Sequence, residues 1–200
     1  MSDPGGPGGT GQPGLGGSLC REDQERLLEV AEASIRAGLD TGRPLDPHPE
    51  HFGPGLLEPG ATFVTLKLNG TLRGCVGSFE ACRPLLEDVA RNAYAAAFRD
   101  HRFSPLTWDE LKGLEVHISI LTPLVPLSVQ DRPELIRTLR PGVDGLLLED
   151  PPHRATFLPQ VWEALPDPER FLSELFLKAG LPENHWSDTL TFSRYRVDEF

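Results

Sequence analysis

The sequence has few cysteines, few lysines and no long apolar run, and each shortage narrows the class of protein. Of its 200 residues only three are cysteines, Cys20, Cys75 and Cys82, an odd and sparse set that does not suit a disulfide-stabilised secreted protein. No apolar stretch approaches the roughly 20 residues that a transmembrane helix requires. The N-terminus has neither the basic start nor the apolar core of a secretory signal. We therefore expect a reduced, cytoplasmic protein that does not enter a membrane.

Basic residues are outnumbered by acidic ones, 19 against 30, which gives a formal net charge of −11. An acidic surface repels phosphate backbones and anionic lipid, so we expect no nucleic-acid or membrane-surface partner. Most of the basic residues are arginines, a composition typical of a GC-rich genome, and we expect a bacterial source.

The N-terminal stretch consists largely of glycine and proline. Eleven of the first seventeen residues are of these two types, and such a segment buries too little apolar surface to repay the entropy of ordering. We predict a disordered tail over residues 1–18 and a single domain over 19–200. That length provides a core without help from disulfides or metal ions, and it allows two lobes.

Apolar periodicity predicts a mixture of helices and strands without a regular βαβ rhythm. This pattern indicates an α+β fold with a mainly antiparallel sheet. One helix is expected to end at Gly38 and another to begin near Pro84, and Thr107 with Glu110 forms a capping box. The sequence "TFSRYRVDEF" predicts one last strand.

Asn69-Gly70 lies between two strand-like runs and predicts a β-hairpin, because both residues of a tight turn tolerate positive φ. A two-residue loop pairs Val64 with Cys75 and places the thiol among Val64 and Leu66. A three-residue loop would instead place the Cys75 side chain on the opposite face of the hairpin.

Cys75 is the first candidate for chemistry. A thiolate is favoured by a nearby cation, and Arg73 is two residues away on the predicted face. Gly74 and Gly77 would let a substrate or another backbone approach closely. The alternative is that Cys75 is a small buried residue that serves only packing.

Histidines offer weaker candidates. His117 shares the polar face of its predicted strand with Glu115 and Ser119, where it would be either an ordinary surface residue or part of a site. His48 and His51 have a spacing that metal sites sometimes use, but no third ligand is near. The common nucleotide-binding, zincin and hydrolase motifs are absent, so we predict no metal and no cofactor.

The stretch "FRDHRFSPL" places Arg99 and Arg102 between two phenylalanines. These arginines would form either an anion-binding rim or a helix C-terminus at which cations complement the macrodipole.

Several blocks of the sequence together resemble the AMMECR domain family, in prokaryotes also called AmmeMemoRadiSam system protein A. They are "LRGCVGSFE", "RPLLEDVARNAYAAAFRDHRFSPL", "LEVHISILTPL", "GVDGLLLE", "TFLPQVWEALPDPERFL" and "KAGLP". The resemblance covers roughly residues 19–200. It implies an antiparallel sheet flanked by helices, a smaller second lobe, and a cleft between them that holds the LRGC-type motif.

The resemblance also implies a context, although the family has no established reaction. Its prokaryotic members occur beside a Memo-type protein and a radical SAM enzyme, which suggests a shared modification pathway. Arg73, Gly74, Cys75 and Gly77 match the signature block. The chain departs from the family at His117, where an acidic residue is usual, and at His101, where proline is common.

Two functions follow as hypotheses. In the first, the chain is a pathway component in which Cys75 is a nucleophile or covalent carrier, and His117 or Glu80 transfers protons. A ligand would then be held by Arg73, Gly74, Gly77, Ser78, Arg99 and Arg102. In the second, the same cleft is a non-catalytic binding or scaffold surface for a partner, and Cys75 is merely small.

Overall fold

The computed structural model describes residues 19–200, so the tail predicted over residues 1–18 lies outside the described residues. Helices accompany two four-stranded sheets in which every strand pairing is antiparallel. The predicted α+β class with a mainly antiparallel sheet is therefore confirmed. Within residues 19–200 no helix combines the length and apolar character needed to cross a membrane.

The two sheets define two lobes. The first lobe has strand order β2-β1-β3-β8 and the second has β4-β7-β5-β6. The strands are β1 (Ala61–Leu68), β2 (Thr71–Gly77), β3 (Leu114–Leu121), β4 (Val125–Leu127), β5 (Gly145–Asp150), β6 (His153–Phe157), β7 (Thr191–Tyr195) and β8 (Val197–Glu199). The helices are α1 (Arg21–Thr41), α2 (Pro54–Leu57), α3 (Leu85–Phe98), α4 (Arg132–Thr138), α5 (Val161–Ala164) and α6 (Pro168–Lys178), with 3₁₀ turns at Pro49–His51 and Trp108–Gly113.

The core of the first lobe lies between one face of its sheet and the long helices α1 and α3. Val64 and Leu66 of β1 and Ile118 of β3 are fully buried in this core. They alternate with polar neighbours, as a sheet that is covered on one face by helices requires. The opposite face carries Phe63 and Thr65 of β1. His117 of β3, which pairs with Thr65, is on this face too.

Helix α1 is longer than the glycine signal predicted. It continues past Gly38 to Thr41, and Gly42 ends it in the left-handed conformation at φ 72°. A Cβ on Gly38 would lie 2.3 Å from the ring of Phe98. Gly38 therefore permits the close crossing of α1 and α3 rather than ending the helix, and that role depends on a contact between distant segments.

The second lobe packs α4 and α6 on its own sheet around a separate apolar cluster. The rings of Trp162 and Phe171 stack at 3.7 Å in its centre. Asp167 caps α6 by accepting a hydrogen bond from the Arg170 N–H at 2.9 Å, as its position before Pro168 indicates.

The prediction of one last strand is wrong, because the chain changes sheets at Arg196. Strand β7 belongs to the second sheet and β8 to the first. Thr122, which leaves β3, donates its N–H to the Arg196 carbonyl and accepts the Arg196 N–H on its hydroxyl. The two connections between lobes are thus tied together, and a small third cluster including Phe63 and Tyr195 packs beside them.

A buried carboxylate joins α3 to the first sheet. Asp88 has no exposed surface and accepts hydrogen bonds from the Thr62 N–H at 2.9 Å, the Thr62 hydroxyl, the Ser78 hydroxyl and the Asn92 amide. Burial raises the pKa of Asp88, and its hydrogen bonds with Thr62 and Ser78 oppose that rise. Removing the carboxylate would leave several buried donors without an acceptor.

We predict that Asp88→Ala lowers the free energy of unfolding by about 3–5 kcal/mol, because it breaks a fully buried polar network. Urea unfolding followed by circular dichroism measures the change. The control is Glu87→Ala, which removes an exposed helix pair with Arg91 and should cost no more than about 1 kcal/mol. Equal losses in the two variants would contradict the role given to Asp88.

Candidate functional site

The LRGC block forms strand β2, which leaves the predicted turn as expected. Asn69 and Gly70 have φ of 52° and 75°, and Leu68 pairs with Thr71. The register then shifts by a β-bulge, because Lys67 pairs with Leu72 while Leu66 pairs with Gly74. Arg73 is the extra residue.

The bulge places Cys75 opposite Thr65, not Val64. The expectation that Cys75 lies among Val64 and Leu66 is therefore wrong. Cys75 is on the other face of the sheet, with Thr65 and Lys67, because one extra residue reverses the alternation of side chains. Local sequence carries no clear signal for such a bulge.

Arg73 points to a different partner. Its guanidinium binds both carboxylate oxygens of Glu110, at 2.7 and 3.2 Å, and donates to the Ser104 carbonyl at 2.9 Å. The side chain of Arg73 is 10% exposed. The expectation that Arg73 shares the face of Cys75 is thus corrected: its charge is paired with Glu110 and joins β2 to the 3₁₀ turn at Trp108–Gly113.

The cation beside Cys75 is Arg102. Cys75 lies on the outer edge of the sheet, where its N–H donates to Asp100 Oδ2 at 2.9 Å and its carbonyl accepts from Arg102 at 3.3 Å. Arg102 and Asp100 pair at 2.6 Å. This pairing holds the pKa of Asp100 well below its usual range, and it raises the pKa of Arg102, to which Cys75 also contributes.

The thiol itself contacts a hydroxyl. Thr65 Oγ1 donates to Cys75 Sγ at 3.3 Å, and both residues are partly exposed. The N–H and the carbonyl of Cys75 are bonded to Asp100 and Arg102 and not to β1. Thr65 and Cys75 therefore form a non-hydrogen-bonded pair of the antiparallel ladder, in which the two side chains lie closer together than in a hydrogen-bonded pair. Thr65 was not expected at the site, because it faces Cys75 only through the bulge.

His117 lies in the same cross-strand row but not in contact with Cys75. Thr65 pairs with Cys75 on one side and with His117 on the other, so two strand spacings, about 10 Å, separate the two outer residues. The Nε2 atom of His117 is buried without a hydrogen-bond partner among the described residues. Its nearest carboxylate oxygen, on Glu115, is 4.0 Å away.

The two glycines of the motif have packing contacts. A Cβ on Gly74 would lie 2.1 Å from the Ala96 carbonyl of α3, and one on Gly77 would lie 2.3 Å from the Phe63 ring. Gly74 thus faces the helix, while Gly77 faces the same side as Cys75. Their predicted contacts with a ligand stay a prediction.

The remaining predicted residues make their contacts with other groups. Glu80 binds Arg154 of β6 at 2.6 Å, and this hydrogen bond lowers the pKa of Glu80. Ser78 is bonded to Asp88. Arg99 is exposed at the end of α3, 6.0 Å from the Tyr94 ring, which fits the helix-terminus interpretation.

Metal ligands are not gathered anywhere in the described part of the chain. Within residues 19–200 no group of three or more His, Cys, Asp or Glu side chains is placed to hold a metal ion. All three cysteines are free thiols, and Cys20 and Cys82 are exposed.

Comparison with known proteins identifies the family. Residues 28–200 match the AMMECR1 family. The chain belongs to this family. A protein from Methanothermobacter thermautotrophicus is 35% identical over 181 residues, covering 86% of this chain and 90% of the relative. Another, from Saccharolobus solfataricus, is 38% identical over 177 residues, covering 86% and 77%.

A solved structure supports the fold of this AMMECR1 chain. The crystal structure of an uncharacterised protein from Pyrococcus horikoshii has a TM-score of 0.79 and 33% identity, covering 89% of this chain and 90% of its own. These relatives come from archaea, so they lend no support to the expected bacterial source.

The Arg73–Glu110 pair predicts a pH dependence of stability. Mainly through the hydrogen bond from Arg73, the pKa of Glu110 falls from 4.5 to about 2. Because the folded pKa is depressed, the stabilisation is complete above pH 4.5 and is lost as the pH falls toward 2. Glu110→Gln should therefore flatten the fall in urea-unfolding free energy across that window.

The control is Glu25→Gln, which removes an exposed pair with Arg21 on α1 and should retain the wild-type slope. An unchanged slope in Glu110→Gln would show that the Arg73 pair does not carry the acid dependence.

Proposed function

We propose that this AMMECR1-family chain is a cytoplasmic component of a modification pathway shared with a Memo-type protein and a radical SAM enzyme, and that Cys75 is its nucleophile or covalent carrier. The observation that carries the proposal is the contact of Cys75 Sγ with the Thr65 hydroxyl at 3.3 Å, on a partly exposed strand edge beside Arg102. The pathway partners rest on the family resemblance alone.

The surroundings of Cys75 suit covalent chemistry at sulfur. The Thr65 hydroxyl donates a hydrogen bond to Sγ, whereas the charge of Arg102 is neutralised by its pair with Asp100. Asp100 and Arg102 also hold the main chain of Cys75 on both sides, at 2.9 and 3.3 Å. The sulfur is therefore positioned by fixed contacts, as covalent chemistry requires.

Proton transfer is assigned to His117 in this proposal. Because Thr65 lies between His117 and Cys75, the imidazole would act on a substrate that spans the Thr65 position, not on the thiol directly. Glu80 suits this role less well, since its carboxylate is paired with Arg154 of the second lobe.

The alternative function is recognition without catalysis. It is favoured by the number of polar groups already bonded internally: Arg73, Ser78 and Arg102 each donate to a carboxylate, and Glu80 accepts from Arg154. Such a surface is preorganised, and a partner would dock on it with little ordering cost. Cys75 would then matter only for its size.

Alkylation tests whether the thiol is available. In a Cys20→Ser, Cys82→Ser background, we expect iodoacetamide to label Cys75 in the native protein. Thr65→Val should slow this labelling about fivefold near neutral pH, because it removes a hydrogen bond of about 1 kcal/mol to the sulfur. Peptide mass spectrometry measures the rate.

Thr71→Val is the matched control, because Thr71 is an exposed residue at the start of the same strand. It should label at the wild-type rate. Labelling of Cys75 only after unfolding would exclude the nucleophile and leave the packing interpretation.

Reconstitution separates catalysis from recognition. We expect Cys75→Ser and Cys75→Ala each to abolish product formation in a mixture with the Memo-type protein and the radical SAM enzyme, since neither variant can form the thiol adduct. Circular dichroism checks that both variants are folded. Undiminished product formation by both would favour recognition over covalent catalysis.

A further inference from the structure

Strand β2 lies at an edge of the first sheet, so one side of its main chain has no neighbouring strand. Along this side the N–H and carbonyl groups of Cys75 and Gly77 point away from β1, because both residues form non-hydrogen-bonded pairs with it. For Gly77, the bond from the Ser78 N–H to the Thr62 carbonyl at 2.9 Å requires this pairing. Outward groups of this kind are a template on which another chain can add a strand.

The residues of β2 give this half of the edge little protection of their own. Natural edge strands avoid pairing through lysine, proline, bulges or charged side chains. The bulge at Arg73 disrupts only the first half of the strand, and the charge of Arg73 is paired with Glu110. The second half, residues 74–77, reads "GCVG" and contains neither a charge nor a proline.

Two side chains from the segment after α3 cover the main chain of Cys75. Asp100 Oδ2 accepts the Cys75 N–H at 2.9 Å, and Arg102 donates to the Cys75 carbonyl at 3.3 Å. These are the two hydrogen bonds, one accepted and one donated, that a residue of an added strand would form with Cys75. We call Asp100 and Arg102 together the edge strap.

The edge strap is held in shape by its own contacts. Arg102 donates from its main-chain N–H to Asp100 Oδ1 at 3.1 Å, from its Nε to the same oxygen at 2.9 Å, and from a terminal nitrogen to Oδ2 at 2.6 Å. The guanidinium also lies 5.5 Å from the centre of the Phe103 ring. The side chain of Asp100 is only 7% exposed. The strap is therefore preorganised to bind Cys75.

The second sheet closes its edges by comparable means. Its outer strand β6 has a carbonyl, that of Thr156, which accepts a hydrogen bond from Lys178 of α6 at 2.9 Å. Strand β4, at the other edge, contains Pro126, which has no N–H to offer to a further strand. The outer strands β2, β4 and β6 thus each have a feature that opposes strand pairing, and at β2 and β6 that feature is a side chain from another segment.

From these contacts we infer that the edge strap keeps β2 closed, and that a chain without it pairs with a second copy of itself, strand β2 against strand β2. An antiparallel pair centred on Cys75 is self-complementary, because each Cys75 offers one donor and one acceptor to the other. The uncharged segment 74–77 lets the two strands approach without like charges at the contact. The inference goes beyond the proposed function and does not depend on the reactivity of the thiol.

Analytical ultracentrifugation of the full chain under reducing conditions tests the inference with the double variant Asp100→Ala, Arg102→Ala. The wild-type mass should not change with protein concentration, whereas the mass of the double variant should double as the concentration rises. Added salt should strengthen this association, because it screens the repulsion between two chains of net charge −11. A folded double variant that keeps the wild-type mass at every concentration and salt would overturn the inference.

Two further variants locate the contact. The double variant Glu87→Ala, Arg91→Ala removes a partly exposed ion pair of α3 and should keep the wild-type mass. Addition of Cys75→Lys to the strap variant should restore that mass, because an antiparallel pair centred there would bring two lysines directly opposite each other. Association that persists after Cys75→Lys would place the contact elsewhere and overturn the pairing of β2.

Amide hydrogen exchange, measured by NMR, tests the strap in the wild-type chain without any variant. The Cys75 N–H should exchange about tenfold more slowly than the Gly77 N–H, because Asp100 accepts the first and no group among residues 19–200 accepts the second. Asp100→Ala at low protein concentration should remove this difference. Equal exchange of the two amides in the wild-type chain would contradict the closing role of the strap.

Discussion

One extra residue in strand β2 decides where the family motif presents its chemistry. The bulge at Arg73 turns that side chain toward Glu110, and it moves Cys75 from the helix-covered face to the face of Thr65. Without the bulge, strand alternation would bury the thiol against Val64 and Leu66. The Arg73–Glu110 pair stabilises the bulge because it gives the inserted residue a bonded, mostly buried position.

Helix α3 fixes the sheet from both of its ends. Near its first turn, Asp88 accepts the main-chain N–H of Thr62, and just beyond its last turn Asp100 accepts that of Cys75. The two carboxylates differ in environment. Asp88 is fully buried and its pKa is raised, whereas Arg102 keeps the pKa of Asp100 low. Asp88 joins α3 to the sheet inside the core, and Asp100 binds the main chain of Cys75 at the exposed edge of the sheet.

Side-chain hydrogen bonds join the second lobe to the first. Glu80 binds Arg154 across the lobes, and Gln160 binds Glu199. These contacts join the second lobe to residues near both edges of the first sheet, because Glu80 follows edge strand β2 and Glu199 belongs to edge strand β8. Membership in the AMMECR1 family establishes the fold and no reaction, so the chemistry has to be argued from this arrangement.

The amino-acid sequence by itself determined the family, the α+β class, the Asn69-Gly70 turn and the capping box of Thr107 with Glu110. These features depend on short-range backbone preferences or on strand and helix periodicity, which neighbouring residues encode. Only the tertiary structure decided the bulge at Arg73 and the change of sheet at Arg196, which a local strand pattern does not distinguish from continuous strands. It also decided the partner of each charged side chain, because those pairings join residues that are distant in the chain and depend on how the core packs.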